Sequence, residues 1–286
     1  MYQAAAVFEG GGMRGGYSTG VIDVFLEHDI EFSSIYAVSA GACHAASFVS
    51  KQHNRAFRIS TNYLHDKNYC SLKNLITTGN LFGVEMLFYR FHNELDPFDY
   101  DTFAAYQGKF YATATNLSTG DAEYIPVTAE DSHNGFPPVQ ASSSMPLLAR
   151  NVRIGESEYL DGCIADSIPV RRAISDGNKK VVLILTRPPD YRKGKNLLLP
   201  LYWIRYHRYP NFFARCTDRN ARYNETMDFI QKEENAGRIF VIRPENPLPV
   251  GVVTRSKEKL KALYDIGHDD AEKRVDELLS YLKSGE

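Results

Sequence analysis

Two short segments near the N-terminus carry residues that could perform acyl transfer. The first is a run of three glycines after a short apolar stretch, and the second is Ser39, which follows the next apolar stretch, residues 35–38. A serine hydroxyl becomes an effective nucleophile only when a base removes its proton and fixed donors stabilise the oxyanion that forms. The sequence contains a candidate for each of these three parts.

Ser39 is the candidate nucleophile. It lies where the nucleophile-elbow pattern G-x-S-x-G places its serine, between a predicted strand and a predicted helix. Gly41 gives room for the sharp turn, whereas Ala37 stands in place of the first glycine and adds one methyl group. Ser39 could instead cap the helix that follows, a common role of serine after a strand. On the local sequence alone, both roles remain open.

The glycine segment predicts a loop that binds an anion. Glycine tolerates positive φ and close approach to the main chain, and the first amides of a following helix are unpaired donors. The spacing also matches the dinucleotide fingerprint G-x-G-x-x-G, but that site needs an acidic residue at the end of the second strand, where this chain has Ser39. We therefore favour an oxyanion hole. Its predicted residues are Gly10, Gly11, Gly12, Met13, Arg14 and Gly15.

Asp161 is the favoured candidate for the base. It ends a short predicted strand, and Gly162 permits a turn that directs the carboxylate into a cleft. A carboxylate can accept the proton directly if partial desolvation raises its basicity. None of the eight histidines stands in a comparable context, and His44, one helical turn past Ser39, is more typical of packing.

Alternating strands and helices predict the scaffold that positions these residues. The run of residues 180–186 is typical of a parallel strand buried on both faces. The overall order indicates an α/β protein, a three-layer α/β/α sandwich with a mostly parallel central sheet. The predicted strands span 4–8, 34–38, 110–116, 123–127, 159–162, 180–186 and 238–243, and the predicted helices 16–28, 40–49, a part of 137–148, 211–234 and about 255–282, the last interrupted near Gly267.

Composition limits the class of function. The 286 residues, 43% of them apolar, support a packed core, and the formal net charge of −2 argues against nucleic acid as a partner. The four cysteines are widely spaced, with no Cys/His cluster at zinc spacing, which suits a reducing cytosol. Neither a signal peptide nor an apolar run of spanning length is evident, so we expect a cytoplasmic protein.

In order and spacing, these motifs resemble those of the patatin-like phospholipases. That family combines a G-G-G-x-R-G loop, a G-x-S-x-G serine and a D-G-G or D-G-A aspartate, which residues 10–15, Ser39 and Asp161 match. Residues 141–146, Ala-Ser-Ser-Ser-Met-Pro, are similar to the segment that the family carries between serine and aspartate. The resemblance covers about residues 4–187, and the C-terminal third is less diagnostic.

The resemblance implies a patatin-like fold and a serine acyl hydrolase with a Ser-Asp dyad. Ser39 would attack an ester carbonyl of an acyl lipid or phospholipid, and Asp161 would take its proton. Amides of Gly11, Gly12 and Met13 would hold the oxyanion, and water would then release the acyl group. The resemblance implies neither a metal nor a cofactor.

Four further residues near the motifs need an interpretation. The chain departs from the family pattern at Ala37, where glycine is expected, and at Cys163, where glycine or alanine is expected. Neither change removes a reacting group, but Cys163 adds a thiol near the predicted site. Arg14 either fixes the loop or meets a substrate phosphate, and Asp166 caps the turn after the aspartate.

We divide the chain into a catalytic core, residues 1–187, and a C-terminal extension, residues 188–286, that completes the sandwich. Residues 187–215 carry seven basic residues against one acidic residue, a net charge of +6, interleaved with aromatic residues. Such a segment suits peripheral contact with an anionic membrane, with Trp203, Tyr206 and Phe212 as the amphipathic contacts. An aromatic cap over the active-site cleft is the alternative.

Two other functions remain open on the sequence. The departures at Ala37 and Cys163 make a catalytically weak or inactive lipid-binding protein on the same fold conceivable. A Rossmann-type nucleotide binder is the less favoured alternative, because the second strand lacks its acidic residue.

Overall fold

The computed structural model describes residues 1–284. Its strands are β1 (Tyr2–Phe8), β2 (Phe32–Val38), β3 (Lys109–Asn116), β4 (Ala122–Pro126), β5 (Val152–Ile154), β6 (Ser157–Asp161), β7 (Val181–Ile184) and β8 (Ile239–Ile242). Its α-helices are α1 (Gly16–Glu27), α2 (Ala40–Val49), α3 (Arg55–Thr61), α4 (Leu72–Thr78), α5 (Tyr100–Ala104), α6 (Ala129–His133), α7 (Pro137–Ser143), α8 (Val170–Ser175), α9 (Leu199–Tyr206), α10 (Pro210–Asn235), α11 (Lys257–Glu272) and α12 (Val275–Lys283). Gly12–Gly15 and Gly162–Ile164 form 3₁₀ turns, and Met86–Leu95 forms a π-helix. None of these helices combines the length and the apolar character that crossing a membrane requires.

The strands form one mixed sheet in the order β5-β6-β3-β2-β1-β7-β8, and β4 pairs with β3 off this path. Strands β3, β2, β1, β7 and β8 run parallel, whereas β4 and β6 run antiparallel to β3, and β5 runs antiparallel to β6. Parallel neighbours require long crossover connections, which the intervening helices supply. The predicted α/β class with a mostly parallel central sheet is confirmed.

Side chains of the central strands alternate between two apolar cores, one on each face of the sheet. In β1, Ala6 and Phe8 pack into a core shared with α1, α2 and α11, whereas Ala5 and Val7 pack into a core shared with α8 and α10. This period of two places successive side chains on opposite faces, and both faces of β1 are buried from Ala4 to Phe8. The result is the predicted arrangement of helix, sheet and helix layers.

Strands β2 and β6 occupy the same edge of β3, one after the other. β2 pairs with β3 as far as Val38, which lies opposite Thr113, and β6 places Asp161 opposite Ala114. The other edge of β3 along these residues is taken by β4. Because consecutive positions of a strand are only about 3.3 Å apart, the C-terminal ends of β2 and β6 meet. This junction brings Asp161 next to Ser39, the residue that follows β2.

The last helical region differs from its sequence prediction. Helix α11 continues through Gly267, and the interruption falls at residues 273–274, between α11 and α12. A Cβ added at Gly267 would lie 2.0 Å from the carbonyl oxygen of Tyr17, and one at Gly20 would lie 2.1 Å from that of Tyr264. The prediction of a break at Gly267 was wrong, because this glycine permits α1 and α11 to pack closely and does not end the helix.

Helix α9 divides the aromatic part of the extension into a buried face and an exposed face. Tyr206 and Phe212 pack against Leu117 and Leu160 in a third apolar core, and both rings are almost fully buried. The prediction that these two rings contact a membrane was therefore wrong. Trp203, in contrast, is 54% exposed.

Candidate active site

Ser39 lies at the sharp turn between β2 and α2. Its backbone has φ 56° and ψ −127°, a combination that non-glycine residues rarely adopt and that over-determined functional turns retain. The N–H of Ser39 donates to Oγ of Ser142 at 2.8 Å, which ties the turn to α7. The side chain of Ser39 makes no capping bond to α2. Its hydroxyl is therefore available to a different partner.

That partner is the carboxylate of Asp161. Oγ of Ser39 donates to Oδ2 of Asp161 at 2.7 Å, and the N–H of Cys163 donates to Oδ1 at 2.9 Å. The backbone N–H of Asp161 donates to the carbonyl of Ser144 at 2.8 Å. Burial raises the pKa of this fully buried carboxyl, and the bonds from Cys163 and Ser39 only partly offset that effect. A more basic carboxylate accepts a proton from serine more readily.

Histidine takes no part in this pair within residues 1–284. His44 is buried beneath the glycine loop, where a Cβ added at Gly15 would lie 2.8 Å from its Nε2. Burial lowers the pKa of His44 to about 4, so its ring is neutral at pH 7. Among the same residues, no group of three or more His, Cys, Asp or Glu side chains is arranged to hold a metal ion.

The glycine loop presents unpaired amides beside the nucleophile. Within the described part of the chain, the N–H groups of Gly10, Gly11 and Gly12 donate to no protein acceptor. A Cβ added at Gly10 would lie 3.0 Å from Cβ of Ser39, so the loop runs directly against the elbow. Gly12 has φ +55°, in the region that favours glycine. The loop can therefore donate to an oxygen that develops charge near Ser39.

The amide of Met13 is already used, which revises the predicted set of donors. Its N–H donates to the carbonyl of Val252 at 3.0 Å, and the N–H of Arg14 donates to the carbonyl of Gly11 at 3.3 Å. Neither group is free to bind an oxyanion. The unpaired donors of the loop precede Met13.

Gly41 and Gly162 permit the close packing of backbone around the pair. A Cβ added at Gly41 would lie 2.8 Å from the carbonyl oxygens of Phe8 and Glu9, at the start of the glycine loop. A Cβ added at Gly162 would lie 2.1 Å from the carbonyl oxygen of Thr113. These two glycines let the elbow, the loop and the end of β6 approach one another.

Both departures from the expected motif are accommodated. Ala37 pairs with Phe8 across β1 and β2, and its methyl group is fully buried in the core. Sγ of Cys163 lies 3.3 Å from Nη2 of Arg219, and the carbonyl of Cys163 accepts from Nε of Arg219 at 2.8 Å. Burial raises the pKa of the Cys163 thiol to about 12, so it stays protonated at neutral pH.

Glu9 and Ser142 are positioning residues that the sequence analysis missed. The buried carboxylate of Glu9 accepts from the N–H and Oγ1 of Thr186 at 2.6 and 3.0 Å, and from the hydroxyl of Tyr223 at 2.8 Å. These bonds fasten the start of the glycine loop to the end of β7 and to α10. One signal was available, because an acidic residue at the end of an apolar strand is unusual unless it has partners.

Arg14 and Asp166 have different surroundings. Asp166 accepts from the hydroxyl of Tyr124 at 2.7 Å and from the N–H of Ile168 at 3.2 Å, so it supports the turn after β6. Arg14 makes no ion pair within residues 1–284, and its Nε is buried there without a partner. Its guanidinium lines a cavity that also contains Ser39.

Ser39 lies between two cavities of different character. The first has a volume of about 140 Å³ and a mostly apolar lining that includes Ile59, Phe82, Leu87 and Phe88. The second has a volume of about 100 Å³ and is lined by charged residues, among them Arg14, Arg187, Lys193 and Arg219. Apolar pockets suit acyl chains, and both cavities reach the hydroxyl that would attack the ester.

Comparisons with known proteins identify the family of this chain. The patatin-like phospholipase family matches residues 6–174, and a domain of unknown function, DUF6363, matches residues 209–283. Uncharacterized protein YjjU of Escherichia coli (strain K12) is 30% identical over 261 residues, which cover 85% of this chain and 69% of the relative.

The crystal structure of VipD from Legionella pneumophila aligns with this structure at a TM-score of 0.50 and 11% sequence identity. The alignment covers 96% of this chain and 67% of the VipD chain, and it shows a similarity of fold. The family match spans more than half of the chain, so the resemblance expected from the motifs is confirmed. The chain belongs to the patatin-like phospholipase family and is a lipid hydrolase.

Proposed function

We propose that the protein cleaves carboxylic ester bonds of acyl lipids through an acyl-enzyme on Ser39, with Asp161 as the base. The observation that carries the proposal is the 2.7 Å hydrogen bond from the Ser39 hydroxyl to a fully buried carboxylate. The strained backbone of Ser39 adds support, because such turns persist where the chemistry needs an exposed hydroxyl.

The geometry supports two half-reactions, acylation and deacylation, in which one carboxylate accepts a proton and then donates it. Asp161 accepts the hydroxyl proton while Oγ of Ser39 attacks the carbonyl carbon, and the carbonyl oxygen becomes an oxyanion facing the amides of Gly11 and Gly12. The alcohol then leaves with the proton held by Asp161. A water molecule attacks the acyl carbon while Asp161 takes its proton. The bond from Oγ of Ser39 to the acyl carbon then breaks, the carboxylic acid leaves, and Asp161 returns the proton to Oγ. The apolar cavity beside Ser39 holds the acyl chain throughout.

A fluorophosphonate probe tests the nucleophile directly. Such a probe phosphonylates an activated serine, so mass spectrometry of the digested protein should find the adduct on the peptide that contains Ser39. Hydrolysis of a p-nitrophenyl acyl ester should accompany labelling. A protein that binds lipid without turnover would show neither result, and an adduct within residues 142–144 would reassign the nucleophile.

Gly12→Ala is expected to lower kcat by about 10²–10³, the range seen when one oxyanion donor is lost. The added Cβ would lie 2.6 Å from the carbonyl oxygen of Val252, and φ +55° is unfavourable for alanine, so the amide must move. The loop amides act mainly on the developing charge, so KM should change much less than kcat.

Gly155→Ala is the matched control for this experiment. Gly155 also has a positive φ, of +58°, but a Cβ there meets nothing within 4 Å, and it lies in the turn between β5 and β6. Gly155→Ala therefore introduces the same backbone strain at a position outside the glycine loop. A large rise in KM with an unchanged kcat in Gly12→Ala would assign the loop to substrate binding alone.

The exposed face of α9 supports a peripheral contact with an anionic lipid surface. On this helix Trp203 and Ile204 are 54% and 69% exposed, and Arg205 is exposed beside them. Leu197, just before the helix, is 86% exposed, and Arg208, just after it, is exposed too. Lys195 is also exposed, whereas the four remaining basic residues of the segment are less available. Arg192 pairs with Asp228, Arg215 pairs with Asp121 and Asp218, and Arg187 and Lys193 line the charged cavity.

The double variant Arg205→Glu/Arg208→Glu is expected to bind anionic vesicles at least ~10-fold more weakly at low salt, because each basic residue near such a surface contributes about 1 kcal/mol. Hydrolysis of a soluble short-chain ester should continue. Vesicle sedimentation and ester turnover measure the two effects separately.

Lys179→Glu/Lys232→Glu provides the same change in net charge elsewhere. Lys179 precedes β7 and Lys232 lies near the end of α10, before β8, so both lie toward the amino ends of the parallel strands. Equal weakening of vesicle binding in both double variants would contradict a specific role of α9. Absence of wild-type binding at low ionic strength would contradict the membrane contact itself.

A further inference from the structure

The second cavity beside Ser39 concentrates positive charge. Its lining contains four cationic side chains and only two carboxylates, those of Glu9 and Asp161. Its volume is about 100 Å³, and a single water needs only ~15 Å³ of such space, so a group of several heavy atoms fits. The cationic residues are Arg14, Arg187, Lys193 and Arg219.

These four cations form no ion pair within residues 1–284. Two of the nitrogens of Arg219 bind the carbonyl and Sγ of Cys163, and Nζ of Lys193 lies 3.5 Å from Oγ of Ser167. The carboxylate of Glu9 accepts hydrogen bonds from Thr186 and from the hydroxyl of Tyr223. The carboxylate of Asp161 accepts from Oγ of Ser39 and from the N–H of Cys163. The cavity therefore has an excess of positive charge, because only two carboxylates lie among its four cationic side chains.

Burial, and next to it the repulsion of a neighbouring arginine, lowers the pKa of two of these groups, Lys193 and Arg14. Burial lowers the pKa of Lys193 to about 7, and Arg219 lowers it further, whereas Cys163 and Glu9 act in the opposite direction. Burial also lowers the pKa of Arg14, with neighbouring Arg187 as the next cause. An anion among these groups would relieve their repulsion and accept charge-assisted hydrogen bonds.

The position of the cavity indicates which part of a substrate would carry the anion. Ser39, Gly12 and Met145 line both cavities, so the ester bond to be cleaved lies where the two meet. With the acyl chain in the apolar cavity, the alcohol part of the ester enters the cationic one. A charged group on that alcohol would face the four cations.

The same lining disfavours a head group that carries its own positive charge. One face of the Tyr191 ring is covered by Arg187 at 4.2 Å, and one face of the Tyr223 ring by Lys193 at 3.7 Å. A quaternary ammonium needs open aromatic faces or a free carboxylate. The oxygens of Glu9 are already bonded to protein donors.

We propose that this cavity binds a phosphate monoester on the alcohol part of the substrate, and that Arg187, Lys193 and Arg219 thereby select anionic acyl lipids. The inference rests on the proposed function, since it takes Ser39 as the site of ester cleavage. All three residues lie beyond the matched patatin-like region, which ends at residue 174. The chain beyond residue 174 thus contributes to substrate choice.

Three esters with one common acyl chain test this inference: an acylglycerol, its 3-phosphate monoester, and its phosphocholine diester. The wild-type protein is expected to have the highest kcat/KM for the phosphate monoester. Arg187→Gln and Lys193→Gln should each lower the ratio of kcat/KM for the phosphate monoester to that for the acylglycerol by ~10-fold or more, as for a lost hydrogen bond to a charged group. Arg187→Lys, which keeps the charge, should recover part of that ratio.

Arg192→Gln is the matched control, because Arg192 is adjacent in sequence but pairs with Asp228 outside the cavity. Its ratio should equal that of the wild type. If the ratio of kcat/KM for the phosphate monoester to that for the acylglycerol is unchanged in both Arg187→Gln and Lys193→Gln, the inference is overturned. The proposed function still holds in that case, provided that the esters are hydrolysed. Inhibition by inorganic phosphate without any preference for the phosphate monoester would assign the cavity to free phosphate, and also overturns it. If no ester is turned over and no probe labels Ser39, the proposed function fails, and this inference with it.

Discussion

Ser39→Ala is expected to abolish ester hydrolysis while leaving the fold intact. The change removes only Oγ, and the N–H of residue 39 can still donate to Oγ of Ser142. Alanine keeps the same positive φ as serine at little additional strain, because both carry one Cβ. By comparison with other serine hydrolases, kcat should fall by at least ~10⁴. Initial rates with a p-nitrophenyl ester and a thermal unfolding scan measure the two effects.

Ser143→Ala is the appropriate control, because Ser143 lies in the neighbouring run of serines and its hydroxyl bonds to the carbonyls of Val139 and Gln140 within α7. This variant should keep the fluorophosphonate adduct on Ser39. Continued labelling of Ser39→Ala within residues 142–144, together with residual hydrolysis, would contradict the assignment of the nucleophile.

The members of the Ser-Asp pair could be predicted from the sequence, but their meeting could not. Ser39 and Asp161 each stand in a recognisable local pattern after a strand. Their contact depends on β6 pairing antiparallel with β3 beyond the end of β2, so that Asp161 lies opposite Ala114 directly after the pair Val38 and Thr113. Strand register over such sequence distances depends on the whole sheet, which no local pattern specifies.

The same limit explains the revised oxyanion donors. Local spacing correctly identified a glycine loop, and Gly12 has the positive φ that glycine favours. The local pattern gave no indication that Val252, in the C-terminal third, would accept the amide of Met13. The hydroxyl of Tyr223 on Glu9 is a second distant contact of this kind.

The basic and aromatic segment shows what a count of residue types leaves out. Tyr202 and Tyr206 are four residues apart and therefore share one face of α9, which is buried, whereas Trp203 lies on another face. The spacing of these residues along the helix could therefore have distinguished the buried rings of Tyr202 and Tyr206 from the exposed ring of Trp203. The net charge of the segment is also misleading, because Arg192 and Arg215 are paired with acidic residues.

Asp161→Asn is expected to lower kcat by ~10⁴, close to the loss from the nucleophile itself, because the two groups act as a unit. The amide has nearly the same shape and can still accept the N–H of Cys163, but it cannot take the proton of Ser39. Rates with the p-nitrophenyl ester measure the loss. Asp166→Asn is the matched control, since burial also raises the pKa of the half-buried Asp166, yet this residue bonds to Tyr124 away from the nucleophile.

The stability of Asp161→Asn should move in the opposite direction to its activity. Burial raises the pKa of Asp161 in the folded state, so the folded protein binds a proton there more readily than the unfolded chain does. The stability that this carboxyl contributes is therefore fully present at pH values below the pKa of Asp161 in the unfolded chain. It is lost as the pH rises through the pKa of Asp161 in the folded protein. At pH 7 the ionised carboxylate destabilises the native state, and the neutral amide removes that penalty. Urea unfolding at pH 7 should show a variant at least as stable as the wild type, the usual relation between a functional charge and stability.

The pH dependence of the wild type gives an independent reading of the same carboxyl. Only the ionised form can accept the proton of Ser39, so kcat/KM should fall as pH decreases through the raised pKa of Asp161, above the ~3.9 of an ordinary aspartate. The residual activity of Asp161→Asn should lack this acid limb, because the amide does not titrate, while Asp166→Asn should retain it. An acid limb that persists unchanged in Asp161→Asn, with near wild-type rates, would assign the base to a histidine. If Asp161→Asn loses the acid limb of the pH profile and keeps the stability of the wild type, the carboxylate acts on the reacting hydroxyl. If Asp161 had a purely structural role, the variant would be less stable and its pH profile would be unchanged.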